Sequence, residues 1–353
     1  MIEKQFKTWF RRSLLDWNLK KNDRKMPWKG EKDPYKIWLS EIILQQTRVE
    51  QGLGYYNRFI TQFPTVHKLA QSNENQVFKL WEGLGYYTRC KNLIATAKKV
   101  SIELKGMFPA SKEGLLSLKG VGPYTAAAIG SFAFGLPLAV VDGNVHRVLS
   151  RIFGIKDPID VPIGKKKLEI LAQELLDIKN PATYNQAIMD FGAVICKPKQ
   201  PECKTCPFQK KCFAFKHQAQ TKLPIKSKKI KAKQRFIYYL MIDHNGKQLV
   251  RKRIGDDIWK GLFEFVLMEK DEPQDIKYLK YLSNWGLKAN GIDYQVIDCS
   301  EEIVHQLTHQ KITCRILHIK VKQSVKVEGY EWKTKNAIQQ FPFPRIITRY
   351  LGW

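Results

Sequence analysis

Apolar positions repeat with a helical period up to about residue 220 and change to strand-like runs beyond it. Phe6, Trp9, Phe10, Leu14 and Trp17 in IEKQFKTWFRRSLLDW fall on one face, so the chain opens with an amphipathic helix that docks on a core. Residues 26–60 read as a turn-rich start followed by one long helix, with Ser40 as its cap and Glu41 in its first turn. Helices are expected near 65–72, 74–82 and 88–104, and two more over 162–195 complete an all-α unit. In the last third, FIYYLMIDHNGKQLVRKR reads as strand, Asn245-Gly246 turn and strand. DIWKGLFEFVLMEKDE follows, then a helix around 273–288 and strands near 293–298 and 311–322. The expectation is an all-α domain over 1–220, a linker over 221–235 and an α+β domain over 236–353.

Within the helical part, LKGVGPYTAAAIGSFAFGLPLAVVDGNVHRVLSR at 118–151 carries the densest chemistry. Lys119, Gly120, Val121 and Gly122 form a tight turn between two helical patterns, and both glycines allow positive φ and a close backbone approach. Pro123 suits the first turn of the next helix, whose amides would bind a phosphate. Such a contact fixes register on DNA without reading sequence; a plain helix-turn-helix connection explains the same residues. Asp142 ends an apolar run just before GNVHRVLSR, where it would cap a helix. Partly desolvated beside Gly143 and Asn144, it would also suit a functional carboxylate. Glu41 stands among Trp38, Leu39, Ile42 and Ile43, and burial would raise its pKa toward that of a general acid. Gln45, Gln46 and Thr47 form a polar cluster suited to a DNA-facing helix. In WEGLGYYTRCKNL, Tyr86 and Tyr87 are read as exposed stacking surfaces beside Arg89 and Lys91, with core tyrosines as the alternative.

Charge adds a partner. The formal net charge is +27, from 60 Lys and Arg against 33 Asp and Glu. Residues 1–220 carry 35 basic and 19 acidic side chains, and 221–235 carry seven basic and none acidic, so the polyanion-binding footprint lies there. No apolar run approaches the ~20 residues of a membrane span. No membrane association is expected, and a reducing cytoplasm fits better than an Arg-rich transit peptide, because Glu3 and Asp16 interrupt the opening.

Four of the seven cysteines, Cys196, Cys203, Cys206 and Cys212, are spaced C-x6-C-x2-C-x5-C. One close pair with two outliers favours a [4Fe-4S] cluster over zinc, and the odd leftover set argues against disulfides.

Taken together, LKGVG, the following Asp142, WLSEIILQQTRV and the cysteine run resemble the endonuclease III superfamily of helix-hairpin-helix DNA glycosylases. Within it, PYKIWLSEIILQQT, GLGYYTR and VVDGNVHRV resemble the adenine DNA glycosylases. The resemblance covers nearly all of 1–215. It implies a multidomain protein with an all-α glycosylase domain, formed by a six-helix barrel module (roughly 27–135) and an iron-sulfur module (1–26 with 136–220). The C-terminal domain resembles a Nudix-like α+β domain that recognises 8-oxoguanine and lacks the Glu-rich magnesium motif of hydrolysing relatives. The implied partner is double-stranded DNA carrying adenine opposite 8-oxoguanine or guanine, bound by a monomer.

By motif, Glu41 would protonate the adenine ring and Asp142 would stabilise the sugar cation, with Asn144 beside it. Tyr124 occupies the position where the lyase branch has a Schiff-base lysine, which implies a monofunctional enzyme. Gln46 and Tyr86 would fill the opened base stack, and Trp28 and Gln186 would line the adenine pocket. Leu307, Thr308 and His309 stand where the family has a Phe-Ser-His loop, which leaves the preference for 8-oxoguanine open. A lyase-type glycosylase and a non-catalytic iron-sulfur DNA-binding protein remain as alternatives.

Overall fold

The structure is a computed structural model describing residues 3–227, 232–287, 292–307 and 309–353. Its packing separates two units, Met1–Ala70 with Ala95–Lys228, and Gln71–Ile94 with Lys229–Trp353. This grouping differs from chain order, since 71–94 reads by sequence as part of the helical domain. Within the second unit, Glu82 accepts a hydrogen bond from the Phe343 amide at 2.8 Å, and Lys79 Nζ donates to the Phe341 carbonyl.

In the first unit, helix Lys4–Lys21 buries Phe10, Leu14 and Trp17 against helices Pro162–Leu175 and Pro181–Val194. Phe10 stacks on Phe208 and Trp17 meets Phe191 edge-on. Arg11 donates to the Leu175 carbonyl at 2.9 Å, satisfying an acceptor that a helix C-terminus otherwise leaves open.

The single helix expected over 26–60 is two, Pro34–Leu44 and Val49–Gln62. The cap is Asp33, whose carboxylate accepts from the Tyr35 amide at 2.9 Å, with Pro34 at the first helical position. Ser40 lies inside, donating its hydroxyl to the Ile37 carbonyl, so Glu41 sits two turns deep and not in the first turn. The break falls at Gln46, an exposed residue with φ of 55°, which places it in a turn where a helix was expected.

The hairpin turn follows helix Lys112–Leu116 and leads into helix Pro123–Phe134. Gly120 has φ of 80°, which favours glycine, whereas Gly122 caps the following helix at φ −90° and makes no use of positive φ. Helix Gly143–Phe153 starts at Asp142 and packs on Pro181–Val194. They pack tightly at Gly192, where a Cβ would lie 2.6 Å from the Asn144 Cβ.

The second unit is built on a mixed sheet of β1 (Lys233–His244), β2 (Lys247–Lys252), β3 (Phe263–Glu264), β4 (Val266–Lys270), β5 (Tyr294–Cys299), β6 (Ile303–Gln306), β7 (Gln310–Val321) and β8 (Glu331–Thr334). The order is β3-β2-β1-β7-β5; β1 and β7 run parallel at its centre, while β4, β6 and β8 pair antiparallel with β1, β7 and β2. Asn245 and Gly246, at φ 46° and 72°, make the tight turn that the sequence implies. The helix expected at 273–288 is shorter, Ile276–Lys280 followed by the 3-10 turn Leu282–Trp285. Leu223 is buried, Arg151 Nε donates to its carbonyl at 3.0 Å, and β1 already begins at Lys233. No helix among the described residues is long and apolar enough to cross a membrane.

Gly192→Ala should force apart the two helices that set the position of Asn144. We expect a loss of about 1–3 kcal/mol, read as a lower midpoint in thermal unfolding; an unchanged midpoint would show that the contact yields without cost.

Candidate active site

A cavity of about 350 Å³ in the first unit is lined by Glu41, Tyr124, Asp142, Asn144, Trp28 and Gln186, among others. Three helices deliver the acidic cluster. Helix Pro34–Leu44 is buried on nearly every side from Ile37 to Ile43, and this leaves Glu41 only 6% exposed. Helix Pro123–Phe134 supplies Tyr124 from its first turn, and the start of helix Gly143–Phe153 supplies Asp142 and Asn144.

Glu41 Oε2 accepts a 2.6 Å hydrogen bond from the Tyr124 hydroxyl. Burial pushes the Glu41 carboxyl up to about 7; Tyr124 opposes the shift and the nearby Asp142 adds to it. Burial also raises Asp142, but its environment is different. Its Oδ1 accepts from the Val145 amide at 2.8 Å and its Oδ2 from Asn144 Nδ2 at 2.7 Å, and the positive charge of Arg147 favours its ionised form. Asp142 therefore caps a helix and faces the cavity at once. Tyr124 is held well above its ordinary range by burial and by Glu41, so it serves as a neutral donor.

Arg147 was not singled out from the sequence. Its Nη2 donates to Asn144 Oδ1 at 2.7 Å and to the Gly192 carbonyl at 2.8 Å, and its Nε donates to the Cys196 carbonyl at 2.7 Å. Its spacing of three from Asn144, one helical turn, was the available clue. Asp190 was missed as well. It is fully buried, one turn beyond Gln186, and gathers Arg24, Lys29, Asn22 and Gln186 around its carboxylate.

Cys196, Cys203, Cys206 and Cys212 all line a second, smaller cavity with Arg151 and Phe191. Arg151 Nη1 lies 3.4 Å from Cys196 Sγ, placing a cationic donor beside a sulfur. Four sulfurs around one space, with a positive donor, match the donor set of a thiolate-held cluster. Among the described residues, no three His, Cys, Asp or Glu side chains converge closely enough for a single metal ion.

The other sequence-predicted residues are placed as follows. Trp28 meets Tyr56 edge-on at 5.2 Å. Lys119 is exposed and its carbonyl accepts from Thr96 Oγ1, while Val121 is buried. Gln46 is not among the cavity residues. Tyr86, in the second unit, is 45% exposed at φ 48° with the Arg89 guanidinium over its ring. Tyr87, expected to be exposed like Tyr86, is buried, and the core-tyrosine alternative holds there. Leu307 donates its amide to the Gln310 carbonyl at 2.8 Å, and the His309 carbonyl accepts from the Lys233 amide at 2.9 Å. Thr308 lies outside the described residues.

Residues 39–176 match the family described as HhH-GPD superfamily base excision DNA repair protein, and 237–353 match the NUDIX domain family. The chain is 37% identical to the adenine DNA glycosylase of Buchnera aphidicola subsp. Schizaphis graminum, over 72% of this chain and 74% of that protein. It is 35% identical to that of Buchnera aphidicola subsp. Acyrthosiphon pisum, over 88% and 85%, and 40% identical to the human adenine DNA glycosylase over 61% and 41%. Among solved structures, a thermostable thymine-DNA glycosylase aligns with a TM-score of 0.55 at 30% identity, over 60% of this chain and 98% of that one. A non-covalent endonuclease III-DNA complex aligns with a TM-score of 0.54 at 20% identity, over 62% and 100%, a likeness of fold.

Because Glu41 titrates near 7 when folded and near 4.5 when unfolded, its burial cost is absent below the unfolded value and complete above the folded one. Glu41→Gln should therefore raise stability by ~1–3 kcal/mol at about pH 8 and hardly at about pH 4. Denaturant unfolding at the two pH values checks this; equal effects at both would contradict it.

Proposed function

The chain belongs to the adenine DNA glycosylase family, and from that premise we propose that it hydrolyses the N-glycosyl bond of adenine mispaired with 8-oxoguanine, or less readily with guanine, without cutting the strand. The observation that carries this reading is the pair of carboxyls in one cavity, one bonded to a neutral tyrosine and pushed up to about 7, the other held by donors that favour its anion.

Purine departure asks for both. The leaving base must be protonated, and Glu41 is the acid poised to do it. The sugar left behind carries oxocarbenium-like charge, which Asp142 stabilises before water adds. Asn144 turns the Asp142 carboxylate by its 2.7 Å bond. Tyr124 supplies no amine for a Schiff base and bonds to Glu41 instead, which supports a monofunctional reaction. The base must first leave the stack, and the cavity of about 350 Å³ is large enough for a flipped purine beside Trp28 and Gln186.

Around this centre, Gly120 and the amides opening helix Pro123–Phe134 would take a DNA phosphate. By the family motifs, Gln46, in a turn, and Tyr86, both at positive φ, would be the residues that fill or wedge the opened base stack. Cys196, Cys203, Cys206 and Cys212 would hold a [4Fe-4S] cluster, which would clip a lysine-rich loop into a phosphate-binding shape. The C-terminal domain would read the opposite base through Leu307, Thr308 and His309. The enzyme would act as a monomer on double-stranded DNA.

Three outcomes test the reading. Under single turnover, the adenine strand of an adenine:8-oxoguanine duplex should break only after alkali, and Asp142→Asn should slow base release by about 1,000-fold or more. Nicking without alkali would move the chain to the lyase branch, and binding with no release would leave a non-catalytic DNA-binding protein. The rate should fall as pH rises through about 7, as Glu41 loses its proton; a rate rising through that range would remove Glu41 as the acid. Cys203→Ser should lower folding yield or DNA affinity before intrinsic excision, and normal binding with lost excision would refute the structural role of the cluster.

A further inference from the structure

Asp190 carries a consequence for base selection that rests on the glycosylase reading above. It is fully buried on helix Pro181–Val194. Its Oδ1 accepts from Arg24 Nη1 at 2.8 Å and from Gln186 Nε2 at 3.0 Å; its Oδ2 accepts from Asn22 Nδ2 at 2.9 Å and Lys29 Nζ at 3.0 Å. Arg24, Lys29 and Gln186 all line the cavity that holds Glu41.

A carboxylate paired with two cations accepts hydrogen bonds and donates none. Only the NH2 of Gln186 can therefore face Asp190, and the carbonyl oxygen of the same planar amide must point the other way. An unrestrained glutamine could present either end to a bound base; this one cannot turn without setting its oxygen against a carboxylate oxygen. The 6-amino group of adenine is a donor, and the 6-oxo group of hypoxanthine or guanine is an acceptor.

We propose that Asp190 is a positioning residue that sets base selectivity, locking the Gln186 amide with its oxygen toward the cavity so that the pocket takes a 6-amino purine and rejects a 6-oxo purine. Discrimination of this kind is strong because the wrong base leaves buried polar groups facing like partners. Asp190→Asn removes the lock, since an asparagine can offer either a donor or an acceptor to Gln186.

The test is single-turnover excision of adenine, hypoxanthine and unsubstituted purine, each opposite 8-oxoguanine, by the full chain and by Asp190→Asn. We expect the adenine-to-hypoxanthine rate ratio to fall at least about 10-fold, with the purine rate changing less than the adenine rate. A role confined to tying Arg24, Lys29 and Asn22 together would lower all three rates in proportion, and that result overturns the proposal. Because losing the anion leaves two cations facing each other, Asp190→Asn with Lys29→Met, which restores the net charge of the cluster, carries the same comparison if the single variant does not fold. An unaltered chain that releases no adenine removes the glycosylase reading and this proposal with it; normal excision with an unchanged ratio in the variant overturns the proposal alone.

Discussion

The buried carboxyl of Glu41 is the constraint on which the site depends. Ionising a group that is 6% exposed costs free energy, and the surroundings compensate little, because its hydrogen-bond donor is a tyrosine that itself stays neutral. The helix that carries it turns little but Lys36 outward; Ile37, Trp38, Leu39, Ile42 and Ile43 are all buried. A proton near neutral pH is thus kept on Glu41 by the packing that buries this helix.

Asp142 shows how a second carboxyl in the same cavity is given a different task. Burial acts on it in the same direction, but the Val145 amide, Asn144 and Arg147 all favour its anion. The Val145 amide and Asn144 come from the first turn of the helix that Asp142 caps, so a local capping interaction doubles as electrostatic tuning. Arg147 ties the arrangement to the Gly192 and Cys196 carbonyls, and the glycine at 192 lets the two helices come close enough for that bond.

Much of this was legible in the sequence, for physical reasons that also explain what was not. Asp142, Asn144, Pro123 and Gly120 act within a few residues of themselves, through caps and turns, and local chemistry is written locally. Glu41 was legible as a buried acid because its neighbours are apolar, yet its cap was misplaced: Ser40 was the nearer polar residue, while Asp33 followed by Pro34 was the true start. The break at Gln46 was invisible because the apolar period continues on its far side through Tyr56 and Phe59. Asp190 and Arg147 each have one partner a turn away, Gln186 and Asn144, but the others lie on distant segments, as with Asp190 and Arg24 or Arg147 and Cys196, and those could not be read. Short edge strands such as β3 and β6 left no alternation long enough to see.

The most direct measurement is of the Glu41 proton itself. Difference infrared spectra between the unaltered protein and Glu41→Gln, titrated from about pH 5 to about pH 9, isolate this one carboxyl. We expect a neutral carboxyl band at the acidic end that gives way to carboxylate as pH passes about 7. A carboxylate band at every pH would contradict the view that burial keeps Glu41 protonated for the reaction.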